Sequence, residues 1–182
     1  MPKNFQSQLE MGSHFWSRYE PFFVLVVALL VWWIYFAINF NGLLAPDAMD
    51  YSTVARNILN GNGMRMDSIS WVHLLSSPAD PFRVIVKSFL YPIVLLPFFA
   101  LFGTSEGVTA ISSGFFFILT APCLFILARD LFGRNAAWGT VIVYLASLEL
   151  LDFSISGLTE PLFILLITLD LLLIIGANKN LD

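Results

Sequence analysis

Two acidic residues beside apolar segments are the first candidates for chemistry. Asp47 follows the first long apolar run of the sequence, and Glu160 directly precedes the last one. Taken singly, Asp47 fits a helix N-cap and Glu160 fits the first turn of a helix. If both lay on one side of a membrane, the pair would suit general-base catalysis or the binding of a divalent cation.

The remaining acids have competing interpretations. Asp50 fits the positive end of a helix beginning near Asp47, and Glu149 and Asp152 share a helix face because they are three residues apart. Asp170 lies well inside the last apolar run, where a charged Asp costs roughly 2.5–3.5 kcal/mol on insertion scales. It is either an ionisable functional residue or a protonated packing residue, and the sequence leaves both open.

Composition argues against a water-soluble globule. The 182 residues are 58% hydrophobic and 12% charged, whereas soluble domains have roughly 45–50% apolar and about 25% charged residues. Nine Lys and Arg residues with a net charge of −4 argue against a nucleic-acid partner. The one cysteine, Cys123, excludes a disulfide framework built from this chain alone. No phosphate-binding Gly loop, CxxC pair or HExxH motif is present.

Four apolar runs are long enough to cross a bilayer, which takes about 20 helical residues. They are residues 21–40, 107–128, 136–155 and 161–177. A polar N-terminal tail, residues 1–20, favours an uncleaved anchor over a signal peptide. With that tail in the cytoplasm, arginines 129 and 134 fall inside, as expected for a short turn over 129–135. The loop 156–160 is then external, and residues 178–182 are cytoplasmic.

The first external loop, residues 41–106, is expected to contain surface helices. Residues 47–60 place apolar side chains at helical spacing and predict an amphipathic helix. Residues 88–103 are apolar but contain Pro92 and Pro97, and 16 residues of helix would rise only about 24 Å. We expect an interfacial or re-entrant helix there, with a fifth span as the alternative.

Four short motifs follow one another along nearly the whole chain: Pro46-Asp47-x-x-x-Tyr51-x-x-x-Ala55, Lys87-x-x-x-Tyr91-Pro92, Arg129-x-Leu-Phe-Gly-Arg134 and Leu158-Thr-Glu160-Pro161. In this order they resemble the N-terminal part of the integral-membrane GT-C glycosyltransferases. The likeness is greatest to the protein mannosyltransferase and aminoarabinose transferase branch. The resemblance implies an all-α membrane protein with about four transmembrane helices and surface helices in the first external loop.

The resemblance also implies roles for particular residues. Asp47 matches the family's catalytic carboxylate, and Glu160 matches its acid in the second external loop. Lys87, with Arg83 as its neighbour, matches the basic residue near the lipid phosphate. Tyr51 and Tyr91 lie in the matching motifs and are the further substrate-binding candidates. Many members carry a second acid directly after the first, where this chain has Ala48, so a pair in this loop requires Asp50.

The expected reaction moves a sugar from a polyprenyl phosphate carrier to an acceptor hydroxyl on the outer face, with inversion and with a carboxylate as general base. The expected partners are the lipid bilayer and the lipid-linked donor. The sequence does not identify the acceptor, and it does not decide whether Asp47 and Glu160 hold a divalent cation. Family members run to several hundred residues, so we expect an N-terminal part completed by further chain or by a partner subunit. We place the protein in a cell membrane or an endoplasmic-reticulum-type membrane.

The alternative is a non-enzymatic membrane protein, a transporter half or an accessory subunit, with Asp170 as its ionisable residue.

Overall fold

The computed structural model describes residues 3–67 and 89–179, with side chains described for 19–67 and 89–178. Its helices are α1 (Lys3–Asn39), α2 (Pro46–Leu59), α3 (Leu90–Phe102), α4 (Glu106–Phe132), α5 (Arg134–Ala146), α6 (Leu148–Ile155) and α7 (Glu160–Lys179). No strand occurs in these described ranges. The prediction of an all-α fold is therefore confirmed for these residues.

Three helices are long and apolar enough to cross a membrane: the segment Tyr19–Asn39 of α1, the whole of α4, and Glu160–Asn178 of α7. Helices α5 and α6 pass the same test together but are bent by 60° at their junction. The described chain thus has three candidate spans, or four if the bent pair is one span. These lengths support an integral membrane protein.

The bent pair differs from the sequence expectation, which had one continuous span over residues 136–155. Ser147 interrupts it with an extended backbone, φ −73° and ψ 109°. Its hydroxyl oxygen accepts a hydrogen bond from the Leu150 backbone N–H at 3.5 Å and so caps α6. Serine competes for backbone donors in this way, which is why it favours helix starts over helix interiors.

Helix α4 is the centre of the bundle and contacts α1, α3, α5, α6 and α7. One apolar cluster joins α1, α4 and α5, and includes Val24, Ala28, Trp32, Phe117, Ala121, Phe125, Ala137 and Val141. A second joins α2, α3, α4 and α7, and includes Ala55, Tyr91, Leu95, Phe99, Phe116, Leu162 and Leu165. The second cluster fixes the two short helices against the long ones.

Two contacts define opposite ends of the bundle. At one end, the Arg134 guanidinium donates from Nε to Glu20 Oε1 at 2.6 Å, which joins the start of α5 to α1. At the other end, the Leu43 backbone N–H donates to Glu106 Oε2 at 3.1 Å, which joins the chain after α1 to the start of α4. We call these the Arg134 end and the Glu106 end. The cytoplasmic assignment of the Arg134 end stays a prediction.

Helix α3 has 13 residues and includes Pro97 in its interior. At 1.5 Å per residue it is about 20 Å long, which is too short to cross the roughly 30 Å hydrocarbon layer. It packs on α2 and α4 at the Glu106 end. The interfacial or re-entrant placement, and with it the choice against a fifth span, remains a prediction.

Candidate functional site at the Glu106 end

Asp47 lies in the first turn of α2 and its residue is exposed. The helix begins at Pro46, and Ala45 is its N-cap without a side-chain cap bond. The interpretation of Asp47 as the N-cap is therefore wrong. Proline is favoured at the first helical position because its missing N–H has no intrahelical acceptor there, and this moves the helix start one residue ahead of the expectation.

The loop between α6 and α7 comes close to the start of α2. Gly157 has φ +73°, a conformation that favours glycine. A Cβ added there would lie 2.9 Å from Leu43 Cδ2, 2.9 Å from Thr109 Cγ2 and 3.3 Å from Ala48 Cβ. Glycine thus allows the loop that leads to Glu160 to pack directly beside the residue after Asp47.

Tyr51 lies one helical turn after Asp47 and contacts Tyr91 of α3 edge to face, with ring centroids 5.3 Å apart. Tyr91 is almost fully buried. Its hydroxyl lies 2.7 Å from Ser113 Oγ and 3.3 Å from Ser112 Oγ, both on α4. The tyrosine pair therefore joins α2 to α4 through the short helix α3.

The same network reaches the loop before α7. The Ser113 hydroxyl donates to the Leu158 carbonyl oxygen at 3.0 Å. Burial raises the pKa of Tyr91; hydrogen bonds to Ser112 and Ser113 oppose that rise, and the charge of Glu160 adds to it. The Tyr91 phenol is therefore within electrostatic range of the Glu160 carboxylate.

Glu160 begins α7 and is partly buried. Its Oε2 atom is inaccessible to solvent and has no hydrogen-bond partner in the described part of the chain. A buried carboxylate oxygen without a partner is uncommon, because each buried acceptor usually has a donor. If the partly buried side chain turns so that this oxygen is exposed, it can accept a hydrogen bond from a hydroxyl group or bind a cation.

The structure thus brings Tyr51, Tyr91 and Glu160 together and places Asp47 one turn from Tyr51 at the same end. Lys87 and Arg83 lie outside the described residues, so their predicted contact with phosphate stays a prediction. In the described ranges, no three His, Cys, Asp or Glu side chains lie close enough together to hold a metal ion. A divalent cation bound by Asp47 and Glu160 would therefore complete its coordination with substrate phosphate or water oxygens.

Two polar cavities flank α2, and their residues were not singled out from the sequence. One, of about 350 Å³, is lined by Leu43, Met49, Ser52, Thr53, Arg56, Thr104, Ser105 and Glu106. The other, of about 530 Å³, is lined by Asn57, Asn62, Arg65, Met66 and Asp67. Arg56, in the last turn of α2, is the basic residue on the first cavity. The sequence signal for it is its place on the polar side of the amphipathic helix.

A polar cluster at the end of α2 holds residues 60–67 against the helix. Asn57 Nδ2 donates to the Arg65 carbonyl oxygen at 2.9 Å and to Asp67 Oδ1 at 2.7 Å. The Arg56 guanidinium pairs with the Asp67 carboxylate. The Asn57 hydrogen bond lowers the pKa of Asp67, burial opposes this, and Arg56 lowers it further.

Acidification is expected to loosen residues 60–67. Because the folded-state pKa of Asp67 is lowered, its stabilising contribution is present above the unfolded-state pKa and is lost as the pH falls through the folded value. Because the Arg56–Asp67 pair is exposed, the effect should be small. After correction for intrinsic rates, the amides of residues 60–67 should exchange faster at low pH than at neutral pH, by a factor of less than about five. Hydrogen exchange with mass spectrometry measures this. Asn57→Ala removes the largest cause of the lowered pKa and should weaken the pH dependence, whereas Asn60→Ala should keep it. Equal pH dependence in all three proteins would contradict the assignment.

The other candidate acids lie apart from this cluster. Asp152 accepts a hydrogen bond from the Tyr35 hydroxyl, and Glu149 is exposed in the first turn of α6. Asp170 lies in the middle of α7 and is exposed. Comparisons of this chain with protein-family models, curated proteins and solved structures find no match.

Proposed function

We propose that this protein is a GT-C-type glycosyltransferase that transfers a sugar from a polyprenyl phosphate to an acceptor hydroxyl, with inversion at the anomeric carbon. The proposal takes its chemistry from the sequence resemblance. The observation that supports it most is the buried, unpartnered Glu160 oxygen at the bundle end where Asp47 is exposed. Two acids so placed can divide the tasks of proton transfer and substrate positioning.

Asp47 is the general base in this proposal. As the acceptor oxygen bonds to the anomeric carbon, the carboxylate takes the hydroxyl proton, and the bond from that carbon to the phosphate oxygen breaks. Its exposed position on the first turn of α2 leaves it accessible to an acceptor. A carboxylate suits this task because proton removal in the transition state needs a base within hydrogen-bond reach.

The leaving phosphate takes up the electron pair and needs positive charge rather than a proton. The resemblance assigns this role to Lys87, with Arg83 beside it. Arg56, whose guanidinium pairs with Asp67, lies on a cavity next to α2 and is a further cation near the site. Cationic side chains aimed at developing phosphate charge act in this way in other transfer reactions.

The surface of α3 supports a lipid-linked donor. Ile93, Leu101 and Phe102 are exposed on this short helix, while Tyr91 anchors its other face in the bundle. An exposed apolar helix beside the candidate site can lie against a prenyl chain.

A second candidate function is that of a non-enzymatic membrane protein, as a transporter half or an accessory subunit. The observation that favours it is the exposed Asp170 in the middle of α7. Ionisable side chains at such positions usually serve ion movement or helix pairing. This candidate does not require Asp47 and Glu160 to act together.

The Glu160→Gln variant tests the enzymatic proposal. Full-length protein in membranes is given radiolabelled polyprenyl-phosphate sugars, and release of polyprenyl phosphate is followed with increasing acceptor. Because the buried oxygen is proposed to hold an acceptor hydroxyl, the acceptor KM should rise about tenfold. Glu149→Gln, an exposed acid of α6, is the matched control and should behave as wild type. Acceptor-dependent release that is insensitive to Glu160→Gln would remove Glu160 from the site.

A further inference from the structure

One face of α7 is exposed along its whole length, and Asp170 lies at its centre. The residues three and four positions to either side of Asp170 share its face of the helix. These residues, Leu166, Ile167, Leu173 and Ile174, are all exposed, up to 72% at Leu173. On the opposite face, Leu162, Leu165 and Thr168 are buried where α7 contacts α4. We call the first of these the Asp170 face.

If α7 crosses the bilayer from Glu160 onward, Asp170 lies near the bilayer centre. It is ten residues after Glu160, the first of the 20 residues of α7. At 1.5 Å per residue, its Cα lies about 15 Å along the axis, which is half of the roughly 30 Å hydrocarbon layer. A lipid-facing side chain at that depth would be out of reach of both the headgroups and bulk water.

In the described part of the chain, Asp170 has no hydrogen bond or ion pair. The exposed face of α1 makes a useful comparison, because it presents Leu30, Trp33 and Ile34 and no acid. Lipid chains are sufficient to cover that face. On the Asp170 face, a carboxylate would lie against the same lipid chains. An uncompensated charge in hydrocarbon is strongly unfavourable.

We propose that the Asp170 face binds a transmembrane helix of a partner protein that carries one arginine or lysine at mid-depth. The argument is charge complementarity in a medium that cannot hydrate the carboxylate. Elsewhere in the described chain, one oxygen of the buried Glu20 carboxylate pairs with the Arg134 guanidinium at 2.6 Å.

A second copy of this chain does not supply such a group. The four apolar runs, residues 21–40, 107–128, 136–155 and 161–177, contain no Lys or Arg. A copy packed alongside in the same orientation would present apolar side chains or its own Asp170 at this depth. Two acids could only share a proton, whereas a basic side chain compensates the charge directly.

The test uses a designed probe in phosphatidylcholine vesicles that contain the complete chain. The probe is a polyleucine transmembrane peptide with one central arginine, compared with the same peptide without it, and association is measured by energy transfer between labels. Polar contacts between membrane helices are modest, so the arginine peptide should bind about 3- to 30-fold more tightly. Equal binding of the two peptides to the wild-type chain would overturn the proposal, whatever the variants do.

Variants of the chain then show whether Asp170 causes the preference for the arginine peptide. Asp170→Asn keeps the side-chain size and should make the two peptides bind equally, and Asp170→Leu should do the same. Glu149→Gln neutralises an acid outside this face and should leave the preference intact. A preference for the arginine peptide that survives Asp170→Asn would overturn the proposal. Self-association of the chain that requires Asp170, with no peptide preference, would overturn it too and assign the face to a second copy.

Discussion

Asp47→Asn is expected to lower sugar transfer by about 10²–10⁴-fold while leaving binding of the polyprenyl phosphate donor close to that of the wild type. Asparagine keeps the size of the side chain but cannot take the acceptor proton. The measurements are the single-turnover transfer rate and donor binding in the same membrane preparation. A general base affects the chemical step, so the effect should fall on kcat and not on donor affinity.

The position of the helix start means that this substitution leaves the N-cap residue of α2 unchanged. Ala45, and not Asp47, is the N-cap of α2, so the variant removes a charge from the first turn without removing the cap. That charge contributes about 0.3–1 kcal/mol at an exposed helix N-terminus. Glu149→Gln, which removes an exposed acid of α6, is the control and should lose less than about tenfold in rate. Near-normal transfer by folded Asp47→Asn, or equal losses in both variants, would contradict the role of Asp47 as base.

The helical class was predictable because burial in lipid leaves a strong local signal. An apolar run of about 20 residues can satisfy its backbone groups only as a helix, and α1, α4 and α7 follow such runs. Helix α2 was predictable for a different reason, since its apolar residues recur at helical spacing after Pro46. Both signals are local in the sequence.

The break at Ser147 and the network around Tyr91 were not predictable in the same way. Ser147 stands within an apolar run, and only the capping bond to Leu150 N–H shows that it ends one helix and begins another. The bond from Ser113 to the Leu158 carbonyl joins residues 45 positions apart. Contacts of this kind depend on how the helices pack, which hydrophobic periodicity does not specify.

In the candidate site, too, some features follow from local sequence signals and others depend on how the helices pack. Counting spans was enough to assign Asp47 and Glu160 to one end of the bundle, where the structure also has them. The buried oxygen of Glu160 and the approach of Gly157 to Ala48 come from the packing of α2 against the loop after α6. Sequence motifs therefore nominate the residues, and the tertiary contacts decide which of them share an environment.

Gly114→Ala is expected to destabilise the bundle by about 1–3 kcal/mol, as overpacking of a tight core does. A Cβ added at Gly114 would overlap the indole ring of Trp32, at Nε1, Cε2 and Cζ2. That ring is buried and donates from Nε1 to the Ser154 carbonyl oxygen at 3.3 Å. The change should therefore loosen α6, the helix before the loop that carries Glu160. Unfolding in mixed micelles with increasing dodecyl sulfate measures the loss.

Gly139→Ala is the matched control, since a Cβ at this exposed position of α5 meets nothing within 4 Å. Alanine there should stabilise the helix by about 0.5–1 kcal/mol, because glycine is unfavourable in a helix interior. In a double-mutant cycle, Trp32→Phe removes the overlapping indole atoms, so Gly114→Ala should cost less in that background than in the wild type. If Gly114→Ala is as stable as Gly139→Ala, or if the two changes are additive, α1 and α4 are not packed through this contact, and the positioning of the Glu160 loop by Trp32 is wrong.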